Sequence, residues 1–223
     1  MPLAGTKRRL RRTYRRGAKR PRIYKGLVPS YRGFAPQAFS RGEWKYKDYV
    51  IPAAVDMIST GTIMCLNGLQ LDNSASGRVG QRVTFRTLEL RIEVQALSGT
   101  VLAGLNRFMI VLDKQCNGAI PAMGVIITPA AMWGGRNLDY RKRFKIIMDK
   151  VRYSSTLAND PSRIYIHQYI KFRRPIITDY NGNVNGDVTD IATNSLLFVA
   201  FGDNAANAPS LNKFWYRLRY TDV

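Results

Sequence analysis

Side chains that could do chemistry are concentrated near the start of the chain. Ten of the sixteen residues in 7–22 are lysine or arginine, and none is acidic. Such side chains pair with phosphates and release counterions, which gives affinity for nucleic acid with little sequence preference. Tyr14, Tyr24 and Tyr31 are interleaved with this charge and could stack on unpaired bases. The pattern therefore predicts binding to single-stranded nucleic acid.

The predicted nucleic-acid-binding residues are basic side chains and one tyrosine of this segment. They are Lys7, Arg8, Arg9, Arg11, Arg12, Tyr14, Arg15, Arg16, Lys19, Arg20, Arg22 and Lys25. Four of the neighbouring positions, Lys19, Arg20, Pro21 and Arg22, also match a short basic nuclear import signal. A nuclear import receptor would read this signal while the segment is free of nucleic acid.

The charge divides the chain into two parts. Residues 1–42 contain thirteen basic residues, ten of them arginine, and no acidic residue. Dense like charge with little apolar surface predicts that this part, called the arm below, is disordered when free. The rest of the chain has 22 basic and 15 acidic residues and is long enough to bury a core. We therefore expect a nucleic-acid-binding arm at 1–42 and one folded domain at 43–223.

Candidate catalytic and metal-ligating residues are few. His167 is the single histidine, and its place in an alternating strand favours a structural role. Asp56, Asp203 and Asp222 could join a calcium site if the fold or a second copy brought them together, although solvated acids or ion pairs are the favoured interpretation. No G-x-S-x-G, P-loop or H-E-x-x-H motif is present. We expect no enzymatic activity, no cofactor and no metal.

Cysteine content and hydropathy narrow the class further. Cys65 and Cys116 are too few for a disulfide scaffold or a zinc site, so we expect both thiols to be reduced. No apolar run approaches the roughly 18 residues of a membrane span, and no hydrophobic segment follows the basic residues as in a secretory signal. We expect no insertion into membranes.

Hydrophobic alternation with a period of two predicts strands in the domain. In residues 82–97, Val83 and Phe85 lie on one parity, whereas Leu88 and the apolar residues after it lie on the other. A one-residue slip would turn every later side chain to the opposite face, so we expect a bulge or break near Thr87.

Other segments add strands to this one. Residues 42–50 and 164–172 also indicate strands, and 107–112 and 196–201 are apolar on both parities, as in buried strands. In residues 213–220, one face carries Phe214, Tyr216, Leu218 and Tyr220.

Long turn-rich loops separate these strands. They lie at 72–80, 114–121, 178–187 and 202–210, and one short helix is expected near 121–133. About eight strands joined by long, unequal loops predict an all-β fold, a single eight-stranded antiparallel jelly roll.

Several stretches of the domain resemble the capsid proteins of circular single-stranded DNA viruses that encode a replication initiator. The coat proteins of geminiviruses and of satellite necrosis viruses are similar at a greater distance, and the arm has less purely arginine charge than those of the best-known circoviruses. The resemblance covers about 42–223, with GRVGQR before a long strand and VLDKQCNG after it as its most specific parts. The stretches are GEWKYKDY, LNGLQLDNSASGRVGQRVTFRTLELRIEV, NRFMIVLDKQCNGAIP, RNLDYRKRFKIIMDKVRYSS and KFWYRLRYTDV.

This resemblance implies two four-stranded sheets and self-assembly, with sixty copies in the simplest icosahedral shell around a circular genome. It places the protein in the virion, and the import signal at 19–22 adds the host nucleus during assembly. The arm would point inward, and the loops at 72–80, 178–187 and 202–210 would lie at the surface or at interfaces. Arg78, Arg82, Arg173 and Arg174 could then line the inner surface, with surface ion pairs as the alternative.

Three alternatives remain beside a DNA-virus capsid protein. A coat protein of a small RNA or satellite virus fits the same pattern, because phosphate contacts do not detect the 2′-hydroxyl group; only the resemblance favours DNA. A ribosomal-type protein would carry its basic residues across the folded domain and not mainly in an arm. An enzyme with a basic tail lacks the catalytic residues.

Overall fold

The computed structural model describes residues 43–96, 103–156, 162–205 and 208–222. The arm lies outside these residues, so what the sequence predicts for it stays a prediction. Within them are a one-turn helix, α1 (Met123–Ile126), and a 3-10 turn, Val188–Asp190. The strands are β1 (Trp44–Val50), β2 (Val55–Asp56), β3 (Thr62–Cys65), β4 (Arg82–Gln95), β5 (Gly104–Asp113), β6 (Ile127–Thr128), β7 (Gly135–Arg136), β8 (Phe144–Ser154), β9 (Arg163–Asp179), β10 (Ser195–Gly202) and β11 (Ser210–Asp222).

Eight of these strands form two antiparallel sheets of four. Sheet I has the order β1-β11-β4-β9, with β2 added as a short fifth strand on β11, and sheet II has the order β3-β10-β5-β8. Counted along the chain, the eight long strands are ordered first, eighth, third and sixth in one sheet, and second, seventh, fourth and fifth in the other. This is the strand order of a jelly roll. The predicted all-β fold with two four-stranded sheets is confirmed.

The main core lies between the two sheets. Phe198 of sheet II stacks on Phe214 of sheet I with ring centroids 4.3 Å apart. The predicted inward face of β11 is confirmed, because Phe214, Tyr216, Leu218 and Tyr220 are all buried. The Tyr216 hydroxyl is buried with a partner, since it donates to the carbonyl of Leu66 at 2.8 Å.

Sheet II also has apolar residues on its second face. The segment between β5 and β8, which contains α1, β6 and β7, packs over that face. The residues buried there are Met109, Val111, Leu197, Val199 and Phe201 from the sheet, with Met123, Ile126, Ile127, Met132 and Phe144 from the covering segment and the start of β8. This arrangement explains why 107–112 and 196–201 are apolar on both parities. The expected helix near 121–133 is reduced to one turn.

The expected bulge lies one residue before Thr87. Phe85 pairs with Ile176 of β9, but Thr87 pairs with Lys171, so Arg86 is opposed by an inserted stretch of residues 172–175. The pairing of β4 with β11 slips at the same place. The bulge lets Val83 and Phe85 point into the core together with the residues of opposite parity that follow.

The described part of the chain contains no helix long and apolar enough to cross a membrane.

Candidate nucleic-acid interface

The outward side of sheet I carries aromatic and charged side chains in place of an apolar layer. Four of its aromatic residues are exposed, with 62% of Trp44, 47% of Tyr46, 66% of Tyr165 and 51% of Tyr169 accessible. Exposed aromatic residues on one face of a sheet make that face a candidate for contact with another molecule. The surface, called the aromatic face below, consists of Trp44, Tyr46 and Asp48 of β1, Lys213, Trp215, Arg217 and Arg219 of β11, Glu89, Arg91 and Glu93 of β4, and Tyr165, His167, Tyr169 and Lys171 of β9.

Strand register places guanidinium groups against aromatic rings. Trp215 lies directly opposite Arg91, whose guanidinium carbon is 5.0 Å from the centre of the indole. Arg217 lies 5.5 Å from the same ring and 5.0 Å from that of Tyr46. Each contact is a cation–π interaction that fixes an arginine flat on the sheet. The result is a preformed surface of rings and guanidinium planes, the groups on which bases stack.

The acidic residues of the face are already paired. Asp48 accepts two hydrogen bonds from Arg217, at 2.7 and 2.6 Å, and this pairing raises the pKa of the guanidinium. Glu89 accepts from Arg91 at 3.2 Å and lies 3.1 Å from Nε2 of His167. Desolvation raises the pKa of Glu89, but these hydrogen bonds outweigh it, and the net shift is downward. Such exposed pairs contribute little stability, but they neutralise the acids that would otherwise repel a polyanion.

Arg78 corrects one expectation. It neither lines a surface nor forms a surface ion pair, because its side chain is fully buried. Its guanidinium donates to the carbonyls of Leu69, Gly80 and Asn183 and lies 4.5 Å from the ring centre of Tyr180. Arg78 therefore joins two loops from the inside. A G-R-V-G stretch looks like an exposed turn, and nothing local in the sequence reveals the distant carbonyls.

The other three arginines expected at the inner surface are exposed. Arg82 pairs with Asp179 at 2.7 Å, which matches the ion-pair alternative. The strand that the sequence indicates at 164–172 would end just before Arg173 and Arg174, which is wrong, because β9 continues to Asp179. These two arginines lie in the inserted stretch opposite Arg86. The proline at the end of the sequence KFRRP suggests that the strand stops there, although it continues.

The candidate calcium ligands have separate partners. Asp56 accepts from the hydroxyl of Ser210 at 2.8 Å, and Asp203 accepts from the amide of Leu105 at 3.0 Å. Asp222 accepts from the amide of Val79. Within the ranges that the structure describes, no three histidine, cysteine or acidic side chains group together as metal ligands.

Sequence reasoning missed the aromatic face, although a signal was present. Tyr165, Tyr169 and Trp215 lie on the polar parity of their strands, where a globular protein without a partner would place charged or small polar residues. The predicted basic residues of the arm lie outside the described residues.

The fold and the geometry together define a jelly-roll domain with one aromatic face. Over 184 residues the chain is 23% identical to the coat protein of Maize white line mosaic satellite virus, a match that spans 81% of this chain and 82% of that protein. No protein-family model matches the sequence.

Solved structures with some likeness are also viral. A chain from Desmodium yellow mottle tymovirus covers 88% of this chain and 96% of its own length, with 11% identity and a TM-score of 0.36. One from Cocksfoot mottle virus covers 94% and 97%, with 11% identity and a TM-score of 0.36. The 60-mer BFDV capsid protein covers 82% and 93%, with 6% identity and a TM-score of 0.31. At these scores, the jelly-roll assignment rests on the strand order of the chain itself.

Proposed function

We propose that the chain is the coat protein of a small icosahedral virus, which assembles with copies of itself around a single-stranded genome. The observation that carries the proposal is the combination of a jelly-roll domain with a thirteen-charge arm on one chain. The similarity to a satellite-virus coat protein over four fifths of the chain supports it. Neither feature serves catalysis, and both serve a shell that must fold, associate and neutralise nucleic acid.

Two exposed apolar side chains in the segment between α1 and β8 support self-assembly. Trp133 and Leu138 are 79% and 72% exposed, and large apolar side chains in water favour contact with another molecule. We assign them to contacts between copies. Replacing Trp133 by Asp should leave a folded chain that no longer forms particles, whereas Lys142→Asp, a change at an exposed position nearby, should assemble. Light scattering and electron microscopy measure the difference, and normal particles from the Trp133 variant would contradict this assignment.

The arm is assigned to packaging. If six to ten of its basic residues contact phosphates, affinity should fall by roughly 10³- to 10⁵-fold between 50 and 200 mM salt, and somewhat less on single strands than on duplex. Deleting residues 1–40 removes the highly charged segment and leaves β1 and all later strands in place, so the truncated chain should remain β-rich and fold, but package little nucleic acid. Circular dichroism and the ultraviolet absorbance ratio of purified particles separate the two effects. An unfolded truncated chain would mean that the arm belongs to the core.

Two genome types are open within this proposal. The sequence motifs resemble capsid proteins of circular single-stranded DNA viruses, whereas the similarity to a satellite-virus coat protein supports the small RNA or satellite alternative at least as well. Nucleic acid extracted from purified particles should be digested by only one of DNase and RNase, which decides between them.

Nuclear entry is part of the DNA alternative. Residues 1–40 fused to a fluorescent protein should concentrate it in the nucleus, and alanine at Lys19, Arg20 and Arg22 should weaken the accumulation. A cytoplasmic signal from the intact fusion would remove both the import receptor and the host nucleus from the proposal.

A further inference from the structure

We propose that a recess at the β4–β9 bulge binds one nucleotide of the single-stranded nucleic acid, independently of the arm. The inference rests on the proposed function for the identity of the strand, but the site is built by the folded domain. The recess, called the bulge recess below, has a volume of about 520 Å³, within the range of small-molecule sites, roughly 300–1,000 Å³. It is lined by Trp44, Arg86, Thr87, Lys171, Phe172, Arg173, Pro175 and Thr221.

The bulge itself creates the recess. Arg86 is the extra residue of β4, and residues 172–175 form the longer insertion opposite it in β9. Two adjacent strands thus separate from regular pairing at one point, and the exposed side chains of Arg86 and Arg173 are turned out of the regular alternation. Bulges are often found where a strand must redirect a side chain at a functional site.

The charge of the bulge recess differs from that of the rest of the aromatic face. Its lining contains Arg86, Lys171 and Arg173, and no acidic side chain. Elsewhere on the face Arg91, Arg217 and Lys213 each have a carboxylate partner. The three cations of the recess make no ion pair with any residue that the structure describes. Cations without an acidic partner that line one concave site favour an anion with several oxygens, such as a phosphodiester.

Two further lining residues indicate a nucleotide and not a simple anion. Trp44 keeps 62% of its surface exposed and offers an indole on which a base can stack. Thr87 is only 8% exposed, yet its hydroxyl has no hydrogen-bond partner. Buried hydroxyl groups are normally paired, and a rotation of this side chain on binding would let its hydroxyl meet a ligand oxygen or base edge in the recess.

A second basic groove adjoins the bulge recess. Lys171, Arg173 and Pro175 also line a second groove of about 1060 Å³, which continues between β8 and β9 and contains Lys114, Lys145 and Arg174. That groove also has no acidic lining residue. A polyanionic strand could therefore enter the bulge recess and leave along this groove. The arm of this or another copy is a poorer occupant, because it has thirteen basic residues and no acid.

The test uses the full chain with Trp44 as its single tryptophan, made by Trp133→Phe and Trp215→Phe. The probe is a four-nucleotide single strand, deoxy or ribo, and the signal is the fluorescence of Trp44. Stacking should quench it in a saturable titration. Changing Arg86, Lys171 and Arg173 to Ala should weaken the affinity read from Trp44 by roughly tenfold or more. A control with Arg141, Lys142 and Arg152 changed to Ala removes the same charge from exposed positions outside the recess and should change it little.

Outcomes for the recess and for the proposed function are separate. If particles of the unsubstituted chain contain nucleic acid but Trp44 of the single-tryptophan chain is not quenched, the recess is not a nucleotide site while the coat-protein function stands. The same follows if both triple variants weaken quenching equally. If the unsubstituted chain, which keeps Trp133, neither assembles nor binds nucleic acid, the proposed function fails. Formaldehyde treatment of particles should join Lys171 to nucleotides; a link from Lys171 to an arm peptide or to another copy in their place would overturn the proposal.

Discussion

The two sheets of the sandwich differ on their outer sides. Sheet II is apolar on both sides, because the segment from α1 to β7 covers Met109, Val111 and Phe201. On the outer side of sheet I, Trp44 and Tyr165 stay exposed, and charged side chains on the same side form ion pairs. One sheet is thus covered by its own chain, and the other leaves rings and guanidinium groups at the surface. We therefore expect substitutions on the covered side of sheet II to affect folding, and substitutions on the outer side of sheet I to affect binding.

The covered side should dominate stability. Phe201 is 1% exposed under the covering segment, so Phe201→Ala should cost about 3–5 kcal/mol in the free energy of unfolding. The matched change on the other sheet, Tyr46→Ala, removes a ring that is 47% exposed and should cost about 0.5–1 kcal/mol. Chemical denaturation of the two variants measures the contrast, and equal losses would show that the outer sides do not differ as described.

The core that both sheets share gives an effect of similar size. Tyr216→Ala removes a ring that is 2% exposed and a buried hydroxyl bonded to the Leu66 carbonyl, so we expect aggregate or unfolded chain in place of particles. Normal melting and normal assembly of this variant would mean that β11 is not a core strand.

Replacing a buried arginine should lower stability more than replacing an exposed one. Arg78→Met leaves the carbonyls of Leu69 and Asn183 without their donor inside the protein, and each lost partner costs roughly 1–3 kcal/mol. Arg82→Met removes only an exposed ion pair with Asp179 and should change stability by less than about 1 kcal/mol. Thermal melting compares the two variants; a harmless Arg78 variant would overturn its role as a link between loops.

The aromatic face should affect binding more than folding. Tyr165→Ala should leave melting almost unchanged but weaken binding of a single-stranded oligonucleotide by about 1–3 kcal/mol, the usual contribution of one stacked base. Tyr140→Ala, on a loop outside both sheets and also partly exposed, is the control. Equal binding by both variants would limit nucleic-acid contact to the arm and the bulge recess.

The smallest effect is a pH dependence. The pKa of Glu89 is lower in the folded chain than its usual value, so its ion pairs stabilise the fold above that usual value and stop doing so as pH falls through the lowered pKa. Glu89→Gln should therefore be less stable than the parent by up to about 1 kcal/mol at neutral pH. The difference should disappear in acid, as pH falls through the lowered pKa of Glu89, and a difference that grows in acid would contradict the sign.

How far the sequence predicts the fold depends on whether the cause is local. The phase slip between Phe85 and Leu88 is local, and it located the bulge to within one residue. The doubly apolar runs at 107–112 and 196–201 indicated buried strands, but not that the chain between α1 and β8 covers one side of them. That covering depends on contacts between residues far apart in the chain, and no periodicity records them.

The candidate site shows the same limit. Strand register brings Arg91 of β4 against Trp215 of β11, and only the strand order makes these two neighbours. Arg78 follows a glycine in a turn-like stretch and looks exposed, yet it is buried among carbonyls, whereas Arg86 of a strand is exposed at the bulge. Charge counts alone predicted binding to nucleic acid, but not which cations of the domain remain unpaired.

The proposed function requires this chain to enclose single-stranded nucleic acid in a shell of its own copies. Expression of the full chain, followed by density-gradient purification, electron microscopy and nuclease digestion of the extracted content, tests this most directly. We expect uniform spherical particles whose nucleic acid is protected until the shell is opened and is then digested by one class of nuclease. A chain that stays monomeric at low salt with added single-stranded DNA or RNA, and that contains no protected nucleic acid, would contradict it.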